Sequence, residues 1–209
     1  LYTRSLRGAL PIYVGNGIFL RGIVEFSNVC AKDCFYCGLC RDNAGIERYR
    51  LSPEEILESV GRLFSAGIRT VVLQSGETPA TEAAWLRDVI AAIKARFDIA
   101  VTLSAGERSR EDYRMWKEAG ADRYLLKIET SHKALYDSIH TGASFENRLR
   151  CLRDLRALGY EVGSGSMIGL RGQTIASIAK DILFFKKEDH DMIGIGPFIP
   201  HPATRLANE

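Results

Sequence analysis

The sequence lacks several features that would point to a membrane or to nucleic acid. It has no run of about 18 consecutive apolar residues, which a membrane-spanning helix requires. Residues 1–15 lack the basic, apolar and small blocks of a signal peptide. With 28 basic and 26 acidic residues, the net charge is only +2. We therefore expect a cytoplasmic protein with a small-molecule or protein partner, and neither a nucleic-acid nor a membrane partner.

Cysteine is also scarce, and its placement is uneven. Four of the five cysteines, Cys30, Cys34, Cys37 and Cys40, lie close together, whereas Cys151 stands apart. An odd number with this spacing does not suit a disulfide framework, but the cluster suits a bound metal. For Cys40 and Cys151 the simplest interpretation is a small apolar residue.

Short β-branched or apolar runs alternate with longer amphipathic stretches, which predicts an α/β fold of repeated βα units on a parallel sheet. The predicted strands are 22–27, 70–74, 99–104, 123–128, 161–167 and 192–195, and the predicted helices are 53–66, 81–97, 110–119, 145–158 and 174–187. We expect one domain over residues 1–209. The sequence begins with Leu1 and ends without a helix after the sixth strand, so we expect a fragment of a longer protein.

The segment Cys30-Ala-Lys-Asp-Cys34-Phe-Tyr-Cys37 follows the first predicted strand directly. A 4Fe-4S cluster takes four thiolates, so a CxxxCxxC set leaves one iron open to a substrate or cofactor. The alternative is a structural zinc site with Cys40 as the fourth ligand, although zinc ribbons usually take two CxxC pairs from separate turns. The periodicity fits either an open sheet or a (β/α)8 barrel. The motif favours the barrel, whose active site lies at the carboxyl ends of the strands.

This cysteine motif, with Tyr36 just before the third cysteine, resembles the radical SAM superfamily. The resemblance implies a TIM-barrel fold with about six strands in this chain, and a 4Fe-4S cluster held by Cys30, Cys34 and Cys37. It also implies that S-adenosylmethionine binds the open iron and is cleaved by one electron into methionine and a 5′-deoxyadenosyl radical. The protein then has to position the reactants and exclude water.

Other segments support this resemblance. Gln74-Ser75-Gly76-Glu77 is similar to the family's glycine-glycine-glutamate element, which binds the methionyl ammonium. Glu129 ends the fourth predicted strand, where it could bind the ribose, and Arg148 could pair in bidentate fashion with the methionyl carboxylate. By themselves these residues also fit an ordinary turn, a salt-bridged carboxylate and a solvated helix arginine. The resemblance implies S-adenosylmethionine contacts from Tyr36, Gln74, Ser75, Gly76, Glu77, Glu129, Arg148, Met167, Pro197 and Phe198.

Within the superfamily, five stretches resemble the HydE family of FeFe-hydrogenase maturases: residues 21–28, 72–77, 121–126, 144–148 and 194–202. This implies radical attack on the sulfur of a cysteine-bound iron carbonyl cyanide complex during H-cluster assembly. Possible partners are other hydrogenase maturation proteins and an electron donor such as ferredoxin or flavodoxin. The implied substrate-binding residues are Thr102, Ser104, Arg123, Lys127 and Thr130. A cationic pocket lined by hydroxyls suits an anionic metal-cyanide complex.

Lys127-Ile-Glu129-Thr130 departs from the Arg-His-Glu-Thr of familiar maturases, which puts the substrate in question. The alternatives are an enzyme like 3-methylornithine synthase or biotin synthase, or a non-enzymatic protein that binds zinc or an iron-sulfur cluster. His201 follows the sixth strand and is interpreted as a loop residue.

Overall fold

The computed structural model describes residues 17–207, so the segment 1–15 and the terminal Asn208 and Glu209 lie outside the described part. The strands are β1 Gly22–Ser27, β2 Asp33–Cys34, β3 Thr70–Ser75, β4 Ala100–Ser104, β5 Arg123–Leu125, β6 His140–Thr141, β7 Glu161–Ile168 and β8 Met192–Pro197. The helices are α1 Pro53–Ser65, α2 Ala83–Arg96, α3 Arg110–Glu118, α4 Lys133–Ile139, α5 Phe145–Ala157 and α6 Ile175–Lys187.

Six of the strands form one parallel sheet in the order β1-β3-β4-β5-β7-β8, and β2 and β6 form a separate antiparallel pair. All pairings within the large sheet are parallel. Parallel neighbours require a crossover connection, and helices supply it here. The predicted α/β class and repeated βα units are therefore confirmed. All carboxyl ends of these strands meet at one edge, which the cysteine motif reaches directly after β1.

The two faces of the sheet differ because successive side chains on a strand point to opposite sides. One face packs against the helices and is fully buried at Val71, Leu73, Val101, Leu103 and Tyr124. On the other face the register places Glu25, Gln74 and Ser104 in one row. The hydrophobic core thus lies between sheet and helices, and the polar row faces the interior of the curved sheet.

The structure differs from the predicted elements mainly between residues 123 and 141. The predicted strand 123–128 is regular only over Arg123–Leu125, and the chain then runs beside β7, where the Leu126 amide donates to Gly163 at 2.9 Å. Helix α4 and the β2–β6 pair were not predicted, because seven-residue and two-residue elements are too short to show a hydrophobic period.

Local signals fixed the element ends well elsewhere. Ser52 caps α1 in a capping box with Glu55, and Pro53 begins the helix. The segment predicted as helix 81–97 is helical only over Ala83–Arg96, and its N-cap residue Glu82 makes no side-chain capping bond.

Candidate active site

A cavity of about 390 Å³ opens at the carboxyl ends of the strands. Its walls come from the loop after β1, the ends of β3 and β4, the segment after β5, and α5. Twelve of the predicted site residues line it: Cys30, Cys34, Tyr36, Cys37, Gln74, Ser75, Gly76, Glu77, Ser104, Lys127, Glu129 and Arg148. The fold therefore gathers most of the predicted metal and cofactor residues around one space.

The three motif thiols are half-buried and free, and all face this cavity. Burial raises the pKa of Cys34 to about 12, and burial also raises the pKa of Cys37. Both are therefore thiols at neutral pH until a metal displaces their protons. Among residues 17–207, no three His, Cys, Asp or Glu side chains lie close enough to hold a single metal ion. Three cavity-facing thiols are a donor set that fits a cluster in which each thiolate binds a different iron.

Cys40 does not join the three motif thiols. It is buried at 6% exposure and does not line the cavity. Its backbone carbonyl accepts from Arg48 at 2.7 Å, and Arg48 also donates to the carbonyls of Asn28 and Leu39. One guanidinium therefore satisfies carbonyls on both sides of the cysteine motif, Asn28 before it and Leu39 and Cys40 after it, which holds the two ends of that loop together.

Two further contacts fasten the cysteine loop. Asp33 and Cys34 form β2 and pair with Thr141 and His140 of β6. On the other side, Arg205 donates to Asp33 at 2.6 Å, and its guanidinium lies 4.4 Å from the centre of the Phe35 ring. The loop is thus held between the α4–α5 connection and the segment after β8.

Tyr36 and His140 link these elements inside the cavity wall. The Tyr36 hydroxyl lies 2.9 Å from His140 Nε2, and His140 Nδ1 lies 3.0 Å from the carbonyl oxygen of Tyr136. Burial lowers the pKa of His140 to about 4, so the ring is neutral near pH 7. A carbonyl can only accept, so Nδ1 carries the proton and Nε2 accepts from the Tyr36 hydroxyl.

A buried ionic cluster forms the opposite wall. Arg148 Nε donates to Glu107 at 2.7 Å, and Nη1 donates to the Lys127 carbonyl at 2.5 Å. Nη2 lies 3.9 Å from Glu77, which also pairs with Lys32 at 3.0 Å. Two of the five guanidinium N–H groups donate to Glu107 and to the Lys127 carbonyl, so the bidentate contact suggested for Arg148 stays a prediction. Nη2 remains for a ligand.

The charges in this cluster stabilise one another. Burial by itself would raise the pKa of Glu107, but Arg148, Asn147 and Lys32 together outweigh burial and hold that pKa below its usual value. Burial would likewise lower the pKa of Arg148, and the carboxylates of Glu107 and Glu77 more than offset it, so that pKa is raised. Both side chains are therefore ionised at neutral pH.

Close backbone approach at two glycines brings Glu77 to the cluster. A Cβ at Gly76 would lie 2.4 Å from the Val29 carbonyl oxygen and 2.8 Å from Cys30 Cβ. A Cβ at Gly106, where φ is +77°, would lie 2.3 Å from Glu77 Cγ. Glycine is required at both positions, because any side chain would push the cysteine loop or Glu77 away.

The loop that carries Glu107 is anchored from the core. The hydroxyl of Tyr124 donates to the Gly106 carbonyl at 2.8 Å, and the Arg108 amide donates to the hydroxyl of Tyr113 at 2.9 Å. Both tyrosines are fully buried. The backbone on either side of Glu107 is therefore anchored to the core, and Arg148 and Asn147 hold its carboxylate.

Glu129 has a strained backbone and an unpaired carboxylate oxygen. Its φ is +62°, a region that a residue with a side chain rarely adopts. It is 7% exposed, and its Oε2 has no hydrogen-bond partner in the described part of the chain. Burial raises its pKa, and Lys127 and Arg148 offset this only in part. A strained, buried and unsatisfied acid facing a cavity is typical of a ligand-binding residue.

The five predicted substrate residues are not all brought together. Ser104 and Lys127 line the cavity. Thr102 lies one step further down β4, with a buried hydroxyl that has no partner among the described residues. Arg123 pairs with Glu161 where β5 and β7 begin, at the far end of the sheet. Thr130 is fully buried and lies 3.4 Å from Asp181 of α6. The last two are thus held by other partners, away from the cavity.

The remaining predicted cofactor residues lie beside Tyr36. Met167 and Phe198 pack with Tyr36 in a small apolar cluster around Leu135, Ile139 and Leu170. Pro197 is the last residue of β8, and the Phe198 amide donates to Ile168 at 2.7 Å. Met167, Pro197 and Phe198 are not among the residues that line the cavity, so their contact with the cofactor stays a prediction. His201 follows β8, and its ring lies where a Cβ on Gly38 would be.

Lys32, Glu107 and His140 contact predicted site residues but were missed from the sequence. Glu107 carried a usable signal, because it follows β4 at the same edge as the motif. His140 carried none, since a lone histidine in an unpredicted turn has no pattern.

None of the helices within residues 17–207 has the length and apolar character needed to span a membrane.

Known proteins with similar sequences fall in one superfamily. The family model "Radical SAM superfamily" matches residues 24–185. The chain is 55% identical over 197 residues to the [FeFe] hydrogenase maturase subunit HydE of Thermotoga maritima, covering 94% of this chain and 56% of that protein. It is 31% identical to a 3-methylornithine synthase of Methanosarcina acetivorans, covering 93% and 55%, and 36% identical to a biotin synthase of Magnetococcus marinus, covering 76% and 50%. The chain thus spans about half the length of these relatives.

Solved structures agree in fold. Methylornithine synthase (PylB) matches with a TM-score of 0.93 at 29% identity, covering 99% of this chain and 61% of that one. The maturase HydG from Carboxydothermus hydrogenoformans matches with a TM-score of 0.85 at 23% identity, covering 97% and 50%. The predicted TIM-barrel-like fold, with six strands in this chain, is confirmed. Together with the family match over most of its length, this shows that the chain belongs to the radical SAM superfamily of enzymes.

Proposed function

We propose that this chain is part of a HydE-type radical SAM enzyme, in which residues 1–209 belong to one radical SAM domain. One observation carries the proposal: three free thiols, an unpaired buried carboxylate and a partly engaged guanidinium face the same cavity. Cys30, Cys34 and Cys37 would hold a 4Fe-4S cluster with one open iron. When bound, the reduced cluster supplies the electron that cleaves S-adenosylmethionine into methionine and a 5′-deoxyadenosyl radical.

The chain's own residues would bind and orient S-adenosylmethionine. Arg148 Nη2 is the guanidinium nitrogen without a short protein bond, so it is suited to the methionyl carboxylate. Glu77 would take the methionyl ammonium, in competition with Lys32. Glu129 Oε2 lacks a donor, and ribose hydroxyls are donors. Gln74, Ser75 and Gly76 would complete the wall beside Glu77.

The adenine would lie against the apolar cluster that contains Tyr36, Met167 and Phe198, with Pro197 ending the strand next to it. An aromatic base gains from burial against such side chains. Closing the cavity with apolar groups on this side also excludes water, which strengthens the charge interactions of Arg148 and Glu77.

The substrate of the proposed enzyme would be small and anionic. Lys127 and Ser104 present an ammonium and a hydroxyl to the cavity, which suits a cysteine-bound iron carbonyl cyanide complex. The 55% identity to HydE favours this substrate over lysine or dethiobiotin. Thr102 has a free hydroxyl deeper on the same face, whereas Arg123 and Thr130 would contact substrate only after leaving Glu161 and Asp181.

A 3-methylornithine synthase-like activity is the second candidate, because the fold matches that enzyme with a TM-score of 0.93 and Lys127 replaces the arginine of familiar maturases. Under either candidate the electron would come from a low-potential donor such as ferredoxin or flavodoxin. Under the first, other hydrogenase maturation proteins would be partners. Free cysteines persist in a reducing compartment, so we also propose a cytoplasmic location.

The test uses the native protein, reconstituted anaerobically and reduced with dithionite. Formation of 5′-deoxyadenosine from S-adenosylmethionine is followed by chromatography with an iron carbonyl cyanide–cysteine complex, lysine or dethiobiotin. Cys34→Ala should abolish cleavage, whereas the matched variants Cys40→Ala and Cys151→Ala should retain it. Lys127→Ala should retain cleavage and lose substrate turnover. Zinc rather than iron in the purified protein, lost on Cys40→Ala, would refute the proposal.

A further inference from the structure

His140 lies at the point where the cysteine loop meets the rest of the barrel. It belongs to β6, and its backbone pairs with that of Cys34. The Phe35 amide donates to the Ile139 carbonyl at 3.0 Å, so the pairing continues on both sides of the residue. At 2% exposure the imidazole is buried. Nothing in the motif or in the family match points to this residue, and the binding roles proposed above do not use it.

Each ring nitrogen of His140 has one hydrogen-bond partner. Nδ1 donates to the Tyr136 carbonyl, which fixes the tautomer, and Nε2 then accepts from the Tyr36 hydroxyl. The ring also stacks on Tyr136, with centroids 4.0 Å apart, and meets Tyr36 edge-on at 5.4 Å. The imidazole is therefore immobilised, and it offers Tyr36 a single acceptor in a fixed place.

Tyr36 transmits this constraint to the cluster ligands. It lies between Cys34 and Cys37 in the chain, and the Cys37 amide donates to the Cys34 carbonyl at 3.2 Å, which closes a tight turn around it. The Tyr36 side chain lines the cavity and packs with Met167 and Phe198. Any rotation of Tyr36 would therefore move the backbone of this turn or open the apolar cluster.

We propose that His140 is a positioning residue, which holds Tyr36 and through it the Cys34–Cys37 turn in the geometry that receives S-adenosylmethionine. The inference rests on the proposed function and adds a residue to it. His140 does not touch the reacting groups. Its effect should appear as weaker binding of S-adenosylmethionine and as an altered environment of the reduced cluster, because both depend on the same turn.

The experiment compares four variants of the reconstituted native protein. His140→Phe keeps a ring that can stack on Tyr136 and removes the acceptor. Tyr36→Phe removes the donor. His140→Gln restores an acceptor oxygen at a similar reach. Tyr136→Phe is the matched control, because it makes the same chemical change in the ring stacked on His140, and the Tyr136 hydroxyl has no partner within the described residues.

We expect His140→Phe and Tyr36→Phe each to raise KM for S-adenosylmethionine about tenfold, the scale of one hydrogen bond, with kcat changed by less than about twofold. The double variant should be no worse than either single one, because both remove the same bond. The electron paramagnetic resonance spectrum of the reduced cluster with S-adenosylmethionine should change in both. His140→Gln should recover most of the binding, and Tyr136→Phe should match the unmodified protein.

Equal KM values and spectra for His140→Phe and the unmodified protein would overturn the inference. So would additive effects in the double variant. If His140→Phe fails to fold, Tyr36→Phe and His140→Gln still decide the matter. Absence of cleavage by the unmodified protein would instead refute the proposed function, so the two failures are distinguishable.

Discussion

The two ends of the parallel sheet both carry acidic side chains, but they use them differently. Where the strands begin, Asp122 accepts from the Val101 amide and from Lys94, and Asp191 accepts from the Val162 amide and from Arg156. Each carboxylate has a strand amide and a cation. Where the strands end, Glu129 Oε2 has no partner within the described residues, and Glu77 pairs with Lys32 at 3.0 Å and lies 3.9 Å from Arg148.

The carboxylates at the strand starts stabilise the barrel, whereas those at the strand ends keep hydrogen-bonding capacity that a ligand could use. Paired carboxylates at the strand starts connect neighbouring strands and are complete without a ligand. At the strand ends, unmet hydrogen-bonding capacity and the left-handed backbone of Glu129 cost stability. In barrels of this kind, the carboxyl ends of the strands carry catalysis and the opposite face carries stability.

Removing the buried cation at the strand ends should be the most damaging change. Arg148→Met leaves Glu107 and Glu77 with only the partly exposed Lys32 as a cation, which should cost about 3–5 kcal/mol of unfolding free energy and abolish S-adenosylmethionine binding. Arg156→Met removes an exposed cation from the other end and should cost less than about 1 kcal/mol. Urea unfolding of both variants checks this. Similar losses of unfolding free energy in the two variants would contradict the proposed difference between the two ends of the sheet.

The second largest effect is expected at Gly76, where two backbone segments lie very close together. Gly76→Ala places a methyl group 2.4 Å from the Val29 carbonyl oxygen, so it should cost about 1–3 kcal/mol and reduce the iron content after reconstitution. Gly196→Ala is the control, because a Cβ there meets nothing within 4 Å. Iron and sulfide analysis together with thermal unfolding measures both. Full iron content in Gly76→Ala would show that the cysteine loop can move aside.

Neutralising one acid at each end should give opposite results. Glu129→Gln should raise KM for S-adenosylmethionine about tenfold without loss of stability, because the carboxylate is unpaired in the folded chain. Asp122→Asn should lower stability and leave KM unchanged, because it breaks the pair with Lys94. Steady-state kinetics and urea unfolding are compared. A loss of stability in Glu129→Gln would mean that its carboxylate is already satisfied.

The smallest effect is a difference in pH dependence. Arg148 holds the pKa of Glu107 below its usual value in the folded state. The stability that Glu107 contributes is therefore fully present above the pKa it has when unfolded, near 4.5, and is lost as pH falls through its lowered folded pKa. Glu129 has a raised pKa, so its contribution is lost as pH rises through the folded pKa. We expect the unfolding free energy, measured from pH 3 to 7, to depend less on pH at the acid end in Glu107→Gln. Glu129→Gln should not show this change.

Much of the fold followed from local patterns. The capping box at Ser52 and the apolar runs that became β3 and β4 are short-range signals, so their positions matched closely. The predicted position of the segment after Leu125 did not match, because Glu129 adopts a left-handed backbone conformation that only tertiary contacts can enforce. The Asp181 carboxylate, which accepts from the Ser131 amide at 2.6 Å, comes from α6 and supports that turn.

For the site, the candidate ligands and their spacing could be read from the sequence. Three cysteines in one short loop after a strand are held close together, because the length of the loop limits how far apart their sulfur atoms can lie. The sequence also marked Glu77, Glu129 and Arg148 through their positions at strand ends or early in a helix.

The hydrogen-bond partners of those side chains, in contrast, depend on tertiary contacts. The tertiary structure gave two nitrogens of Arg148 to Glu107 and the Lys127 carbonyl, directed Arg123 and Thr130 to other partners, and brought His140 to Tyr36 across about a hundred residues of chain. Such contacts join elements distant in sequence, and hydrogen-bond partners are set by which strands and helices become neighbours. That depends on packing of the whole core, which no local pattern encodes.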